Sequence, residues 1–165
     1  MSDRPHVEGH EPVQDRADER GEAFRAVEQQ VAVLARRIRT VVAERAALVD
    51  PRLTSGGYLA LAHLRRSGPG RQGDLVDVLA VDKTVVSRVV QQLVGLGLVE
   101  RGPDPTDGRA HRLRLTARAT SALDRVDALR REQYARKLGG WTTGELEDLA
   151  AALARYNADV GGDQA

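Results

Sequence analysis

Between Glu22 and Leu48 the apolar residues Phe24, Val27, Val31, Leu34, Ile38 and Val41 are spaced 3, 4, 3, 4 and 3 apart, and Leu48 keeps the register. This spacing predicts one long helix with a heptad seam, broken once at Arg45. At 1.5 Å per residue that helix is about 40 Å long. One small domain does not cover such a stripe from end to end, so part of the seam is expected to meet a second subunit. The alternative is an ordinary amphipathic helix packed within its own chain. Asp50-Pro51 ends the helix, since proline disfavours helix in the residue before it. Ahead of it, residues 1–20 are polar and charged and carry Pro5 and Pro12, the pattern of a disordered tail.

A second seam closes the chain. Leu146, Leu149, Leu153, Tyr156 and Val160 again repeat at 3, 4, 3 and 4. The helix carrying them starts at "WTTGEL", where Thr142 and Glu145 have capping-box spacing and Trp141 can staple onto Leu146. Before it, a helix is expected from an N-cap at Thr116 to about Leu138, with Leu123, Val126, Leu129 and Tyr134 inside. With 165 residues the chain suffices for one domain with helical extensions. Aromatic residues make up only 3%, so the core must rest on Leu, Val and Ala, which favours helix packing on helix.

The middle of the chain is built differently. Ser55 to Arg66 reads as a helix with Tyr58, Leu61 and Leu64 on one face and a weak first turn at Gly56-Gly57. "SGPG" at 67–70 then breaks the chain. A short helix is expected over Gln72 to Ala80. After a tight break at Val81-Asp82, a second is expected over Lys83 to Leu96, N-capped by Asp82. Val86, Val89, Val90 and Leu93 are its buried stripe, and Gly95 and Gly97 offer its stop. Leu98 to Arg101 and His111 to Leu115 read as strands, joined by a turn rich in proline and Asp-Gly. Two short helices, a tight turn and a β-hairpin make a winged helix-turn-helix. Its second helix is the natural reader of a DNA major groove. Opposite the apolar stripe that helix carries Lys83, Thr84, Ser87, Arg88 and Gln91, side chains of the kinds that reach base edges and phosphates. An ordinary surface helix also carries such residues. Charge adds weight: residues 52–116 hold ten Lys+Arg against six Asp+Glu, while both flanks are mildly acidic. Arg outnumbers Lys so heavily throughout that no single arginine is read as chosen over lysine.

From Gly73 to Thr116 the sequence "GDLVDVLAVDKTVVSRVVQQLVGLGLVERGPDPTDGRAHRLRLT" resembles the MarR family of transcription regulators. Three parts carry the likeness: the helix-turn-helix around "VDKTVVSR", the segment "LVGLGLVER", and the wing pattern "DPTDGR" followed by "LRLT". The resemblance implies a mainly α fold with a small β-hairpin wing, in which residues 52–116 form the DNA-binding lobe. Residues 21–51 and 117–160 would be N- and C-terminal dimerisation helices. It implies a homodimeric repressor on a pseudo-palindromic double-stranded DNA site, released by a small aromatic or phenolic effector. Arg109 is then the wing-tip arginine that enters the minor groove, with Asp107 or Asp104 as the carboxylate that orients it. Arg112 and Arg114 lie on the return strand near the DNA backbone. Tyr58, His63 and Arg39 are the candidates to line an effector cleft. This chain departs from the family in carrying Lys83 where many members have a small polar residue or proline, so no base preference is copied. Gly56 and Gly57 alter the helix beside the effector cleft, and "ARAT" lacks a glycine found in many members.

Other functions find little support. Cysteine is absent, which removes disulfides, thiolate metal sites and thiol redox sensing. Of the four histidines, His6 and His10 are four apart but in a segment with no helical pattern, His63 and His111 lie in the second helix and the wing, and without cysteine a site would need carboxylates to complete it, so neither a metal nor another cofactor is expected. No Gly-rich phosphate loop or nucleophile motif suggests an enzyme. A scaffold that kept the fold but lost DNA binding would have no need of the basic residues in reader helix and wing. No apolar run approaches the roughly 18 residues of a membrane span, and the N-terminus has no hydrophobic signal core, so a cytoplasmic protein without a membrane partner is expected.

Overall fold

The computed structural model describes residues 11–104 and 111–161. In chain order these form α1 (Glu11–Val49), α2 (Ser55–Ser67), β1 (Gly70–Arg71), α3 (Asp74–Leu79), α4 (Lys83–Gly95), β2 (Val99–Pro103), β3 (His111–Leu115), α5 (Ala117–Lys137) and α6 (Thr143–Gly161). Capping residues mark most starts. Thr54 accepts the Gly57 amide (3.1 Å) ahead of α2, and Thr116 accepts the Ala119 amide (3.2 Å) ahead of α5. Before α6 the Thr142 hydroxyl accepts the Glu145 amide (3.3 Å), and Glu145 reaches back to the Thr142 amide (2.7 Å), a complete capping box. The Thr142 amide and hydroxyl hold the Glu145 carboxyl below its usual range.

α1 starts earlier than the apolar seam suggests, so residues 11–20, expected in a disordered tail, are helical. Glu11, Gln14, Arg16, Ala17, Glu19 and Arg20 are good helix formers, and prolonging an existing helix needs no new nucleus. Pro12 falls in the first turn, where no amide hydrogen is required. The Arg20 guanidinium lies 5.3 Å from the centre of the Phe24 ring, one turn on. Residues 1–10 of the expected tail lie outside the described residues.

The core sits where the C-terminal end of α1 meets α2, α3, α4, the sheet and the first half of α5. Leu61, Leu75, Leu93, Leu98, Leu113 and Leu123 are fully buried there with Val86 and Val90, as Leu and Val must be in a chain so poor in aromatics. Val89 is only partly buried, packing against this cluster from its margin. Leu129 and Tyr134, expected inside, are exposed instead. α5 outruns the lobe, and residues 129–137 in its second half are all exposed.

The sheet has three strands in the order β1-β3-β2, all antiparallel, rather than the two of a simple hairpin. β1 falls within and just after "SGPG", too short to show any alternation, and forms because β3 offers it a free edge. It takes up the residues in front of α3, which begins at Asp74 instead of Gln72. The turn between α3 and α4 places Ala80 in the left-handed region (φ 50). Among the described residues no helix is long and apolar enough to cross a membrane.

Candidate nucleic-acid interface

α4 divides cleanly into two faces. Val86, Val90 and Leu93 have no exposed surface, and Lys83, Thr84, Arg88 and Gln91 on the far side are exposed, with Ser87 half-buried between them. Asp82 fixes the start of the helix by accepting the Thr84 (2.7 Å) and Val85 (3.0 Å) amides. These bonds, that from Val85 foremost, keep its carboxyl below the usual range and therefore charged at neutral pH. At the far end Gly97 takes φ +65, and the Leu98 and Gly97 amides bond back to the Leu93 and Val94 carbonyls (both 2.9 Å). This glycine stop turns the chain straight into β2.

Gln92, one residue beyond Gln91, faces elsewhere. Its amide donates to the Arg52 carbonyl (2.9 Å) and its oxygen accepts the Thr54 hydroxyl (2.9 Å), which ties α4 to the corner between α1 and α2. That corner centres on Asp50, a buried carboxylate that accepts the Arg52 side chain (3.0 and 3.1 Å), the Arg52 amide (3.0 Å) and the Arg118 guanidinium (2.9 Å). Arg118 also donates to the Leu96 carbonyl at the end of α4. The hydrogen bond from the Arg52 side chain, more than any other contact, holds Asp50 far below the usual carboxylate range. One carboxylate thus joins the end of α1, the start of α5 and the exit of α4. In the sequence Asp50-Pro51 reads only as a helix stop, and its arginine partner 68 residues away leaves no local signal.

In the wing, Val99, Arg101 and Pro103 pair with Leu115, Leu113 and His111, while Glu100 and Gly102 pair with Arg114 and Arg112. Directly opposed residues share a face, so Leu113 turns to the core and Arg112 and Arg114 turn away from it. β1 extends one row, setting Arg71 opposite Arg112. Beside them lies Asp104, whose side chain has no exposed surface; it accepts Arg71 Nε at 2.9 Å and stands 3.5 Å from Arg112 Nε. Arg112, expected near the DNA backbone, is therefore held by Asp104 and only partly exposed, whereas Arg114 is exposed. Of the two carboxylates considered for orienting Arg109, Asp104 is engaged by Arg71 and Arg112. Asp107 and Arg109 lie outside the described residues.

The effector candidates differ in burial. Tyr58 belongs to the core at 7% exposure, Arg39 is exposed on α1, and His63 is half-buried on α2 with Nδ1 unbonded among the described residues. One open cleft is lined by Leu64, Arg65, Pro69, Arg114, Leu115 and Thr120 and another by Val76, Asp77, Ala80, Val81 and Asp82; neither includes any of the three. Arg65 is itself held by Asp127 and by Asp124 (3.6 Å) on α5. Among the described residues no cluster of His, Asp or Glu could hold a metal ion.

A capped helix with a free polar face, a tight turn before it and a β-hairpin after it, joined by a third strand from ahead of α3, define a winged helix-turn-helix protein. Comparison with known proteins places it more closely. Residues 53–110 match the model of the MarR family. The chain is 33% identical over 96 residues to the HTH-type transcriptional repressor NicR of Pseudomonas putida, covering 58% of this chain and 61% of NicR. It is 31% identical over 105 residues to the HTH-type transcriptional regulator YxaD of Bacillus subtilis, covering 64% of this chain and 73% of YxaD. Among solved structures, that of RV1404 from Mycobacterium tuberculosis superposes with a TM-score of 0.70 at 27% identity, over 86% of this chain and 97% of the other. A MarR-family regulator from Listeria monocytogenes, complexed with a 26mer DNA, shares the fold with a TM-score of 0.66 at 21% identity, over 82% and 89% of the two chains. The chain belongs to the MarR family of transcriptional regulators, and not to any class of enzyme.

Proposed function

We propose that the protein is a transcriptional repressor that binds a pseudo-palindromic operator in duplex DNA as a homodimer and lets go when a small aromatic or phenolic molecule binds. The observation that carries DNA binding is the outer face of α4. Lys83, Thr84, Arg88 and Gln91 are exposed on a helix whose Val86, Val90 and Leu93 are buried in the core, with Ser87 between. A helix of this width fits the major groove, where Arg pairs with guanine and Gln with adenine. Arg109 at the wing tip, oriented by Asp107 or Asp104, enters the minor groove, and Arg112 lies toward the backbone. NicR is named as a repressor, and the Listeria relative is seen with DNA, both in keeping with this reading.

The homodimer rests on residues 21–51 and 117–160 flanking the lobe of residues 52–116. In support, Phe24 and Ile38 on α1 are more than half exposed, as are Tyr134 on α5 and Val160 on α6. Two paired lobes present their α4 helices to half-sites about one helical turn apart. An effector preferring another spacing of the lobes releases DNA by shifting populations, with Arg39, Tyr58 and His63 as its proposed contacts. The protein acts in the cytoplasm.

The test is a mobility-shift assay on the region upstream of its own gene and on duplexes selected from a random pool, with light scattering for the oligomer. Arg88→Ala and Gln91→Ala are expected to relax sequence preference, and Arg109→Ala to weaken all duplexes, most of all those with A·T-rich flanks. Absence of binding to every duplex, or equal effects from all three variants, overturns the reading.

A further inference from the structure

We propose that Val85 is a specificity residue of α4 that recognises the 5-methyl group of a thymine in the major groove; this rests on the DNA-binding function proposed above. Five valines lie on α4. Val86 and Val90 have no exposed surface, and Val89 packs against the core from its margin. Val85 and Val94 are turned to solvent, at 36% and 40% exposure. Val94 lies near the far end of the helix, beyond Gln91. Val85 lies in the first turn, and the N-terminal part of a reading helix is the part that reaches base edges. Going round α4 from the buried stripe, at about 100° per residue, Val89 comes first, then Val85, then Arg88 about 60° further on. Val85 therefore borders the polar face proposed to meet DNA, directly after Thr84 and one turn before Arg88.

Helix stability does not account for a valine at this place. It is the third residue after the Asp82 cap, where Glu or Gln would complete a capping box. A β-branched side chain also forms helix less well than Ala, Glu or Lys. What valine brings is a stiff pair of methyl groups. Its χ1 has one strongly preferred setting in a helix, and Asp82 holds the backbone by accepting the Val85 amide (3.0 Å). The side chain thus loses little freedom on meeting a ligand.

The major groove supplies one matching group. Guanine, adenine and cytosine present donors and acceptors there, which valine has no atom to pair with. Among the four ordinary bases thymine alone adds a methyl group. Contact between the two removes apolar surface of both from water. A polar base edge at the same place would lose water and gain no partner. Val85 in this way complements Arg88 and Gln91, whose side chains suit guanine and adenine.

The test uses a duplex selected from a random pool, with each thymine in turn replaced by deoxyuridine, which removes only the 5-methyl group. Fluorescence anisotropy then gives the affinity of the unaltered protein, Val85→Ala and Val94→Ala. For the unaltered protein, replacing one particular thymine of a half-site is expected to weaken binding roughly fourfold. Val85→Ala should bind the thymine duplex more weakly by a similar factor and should no longer respond to that replacement, so the two losses do not add. Its melting temperature should not fall, since only an exposed side chain is shortened. Val94→Ala should respond as the unaltered protein does. Indifference of the unaltered protein to every replacement overturns the proposal, and so does a Val85→Ala variant that keeps the full response. Loss of the response in Val94→Ala as well means that the helix as a whole is disturbed, and overturns it too. If the unaltered protein binds no selected duplex, the DNA-binding function itself falls and this contact with it, a result distinct from the others.

Discussion

The lobe and the helical arms of this protein spend their apolar residues in opposite ways. In the lobe Leu61, Leu75, Leu93, Leu98 and Leu113 are completely withdrawn from water. In the arms Phe24 is 58% exposed, Ile38 51% and Val160 62%. From residue 143 to residue 160 every side chain of α6 is exposed except the half-buried Tyr156. The sequence patterns of the two regions are equally regular, so periodicity alone does not separate a face that closes within the chain from one that does not. What separates them is reach. α1 runs about 58 Å, and only its last turns, around Ala46 and Val49, join the core. A contiguous apolar surface of this extent is characteristic of an interaction site, which is the physical ground for the proposed dimer.

Four substitutions put this contrast at risk, and those that should cost the lobe most come first. Leu98→Ala, in the fully closed core, should cost about 2–5 kcal/mol of unfolding free energy in denaturant titration; a cost below about 1 kcal/mol would mean the core is looser than its burial implies. Asp50→Asn should lower the melting temperature at neutral pH, because it removes the charge that holds Arg52 and Arg118. The carboxyl of Asp50 is depressed in the folded state, so its contribution is fully present above its unfolded value, near pH 4, and is lost as pH falls below that. The unaltered protein should therefore lose melting temperature in acid more steeply than Asp50→Asn, and parallel curves would exclude this role.

Thr142→Ala acts on an arm rather than on the lobe. Loss of the capping box should weaken the start of α6 by about 1 kcal/mol, seen as faster hydrogen exchange in its first turns with the lobe unaffected. Ile38→Glu should change unfolding of the lobe by less than about 0.5 kcal/mol. It should nonetheless convert a dimer to a monomer in light scattering. A large loss of lobe stability there would show that α1 packs within its own chain after all.

Much of the fold is legible in the order of residues. Asp82, Thr116 and the Thr142–Glu145 pair are recognisable as caps, the glycine at 97 as a stop, and His111–Leu115 as a strand, and each takes that role in the folded chain. The split of α4 into a buried and a free face is legible as well. Less visible are β1, the Gln92 bridge, and the pairing of Arg71 with Asp104 across 33 residues. The family resemblance implies Arg112 as a DNA contact; nothing nearby in the chain shows that Asp104 also holds it.

Elements whose causes lie within a turn or two of chain need nothing but the sequence: caps, stops, the 3.6-residue and 2-residue periods, and the resemblance of the "DPTDGR" wing pattern. Local hydrogen bonds and side-chain spacing write these directly into the order of residues. Tertiary contacts alone settle which apolar faces find cover, that β3 gains a third strand, and that Asp50 and Asp104 each gather two arginines. Those outcomes depend on which distant segments the fold brings together, and a buried carboxylate and an exposed one are spelled with the same letter.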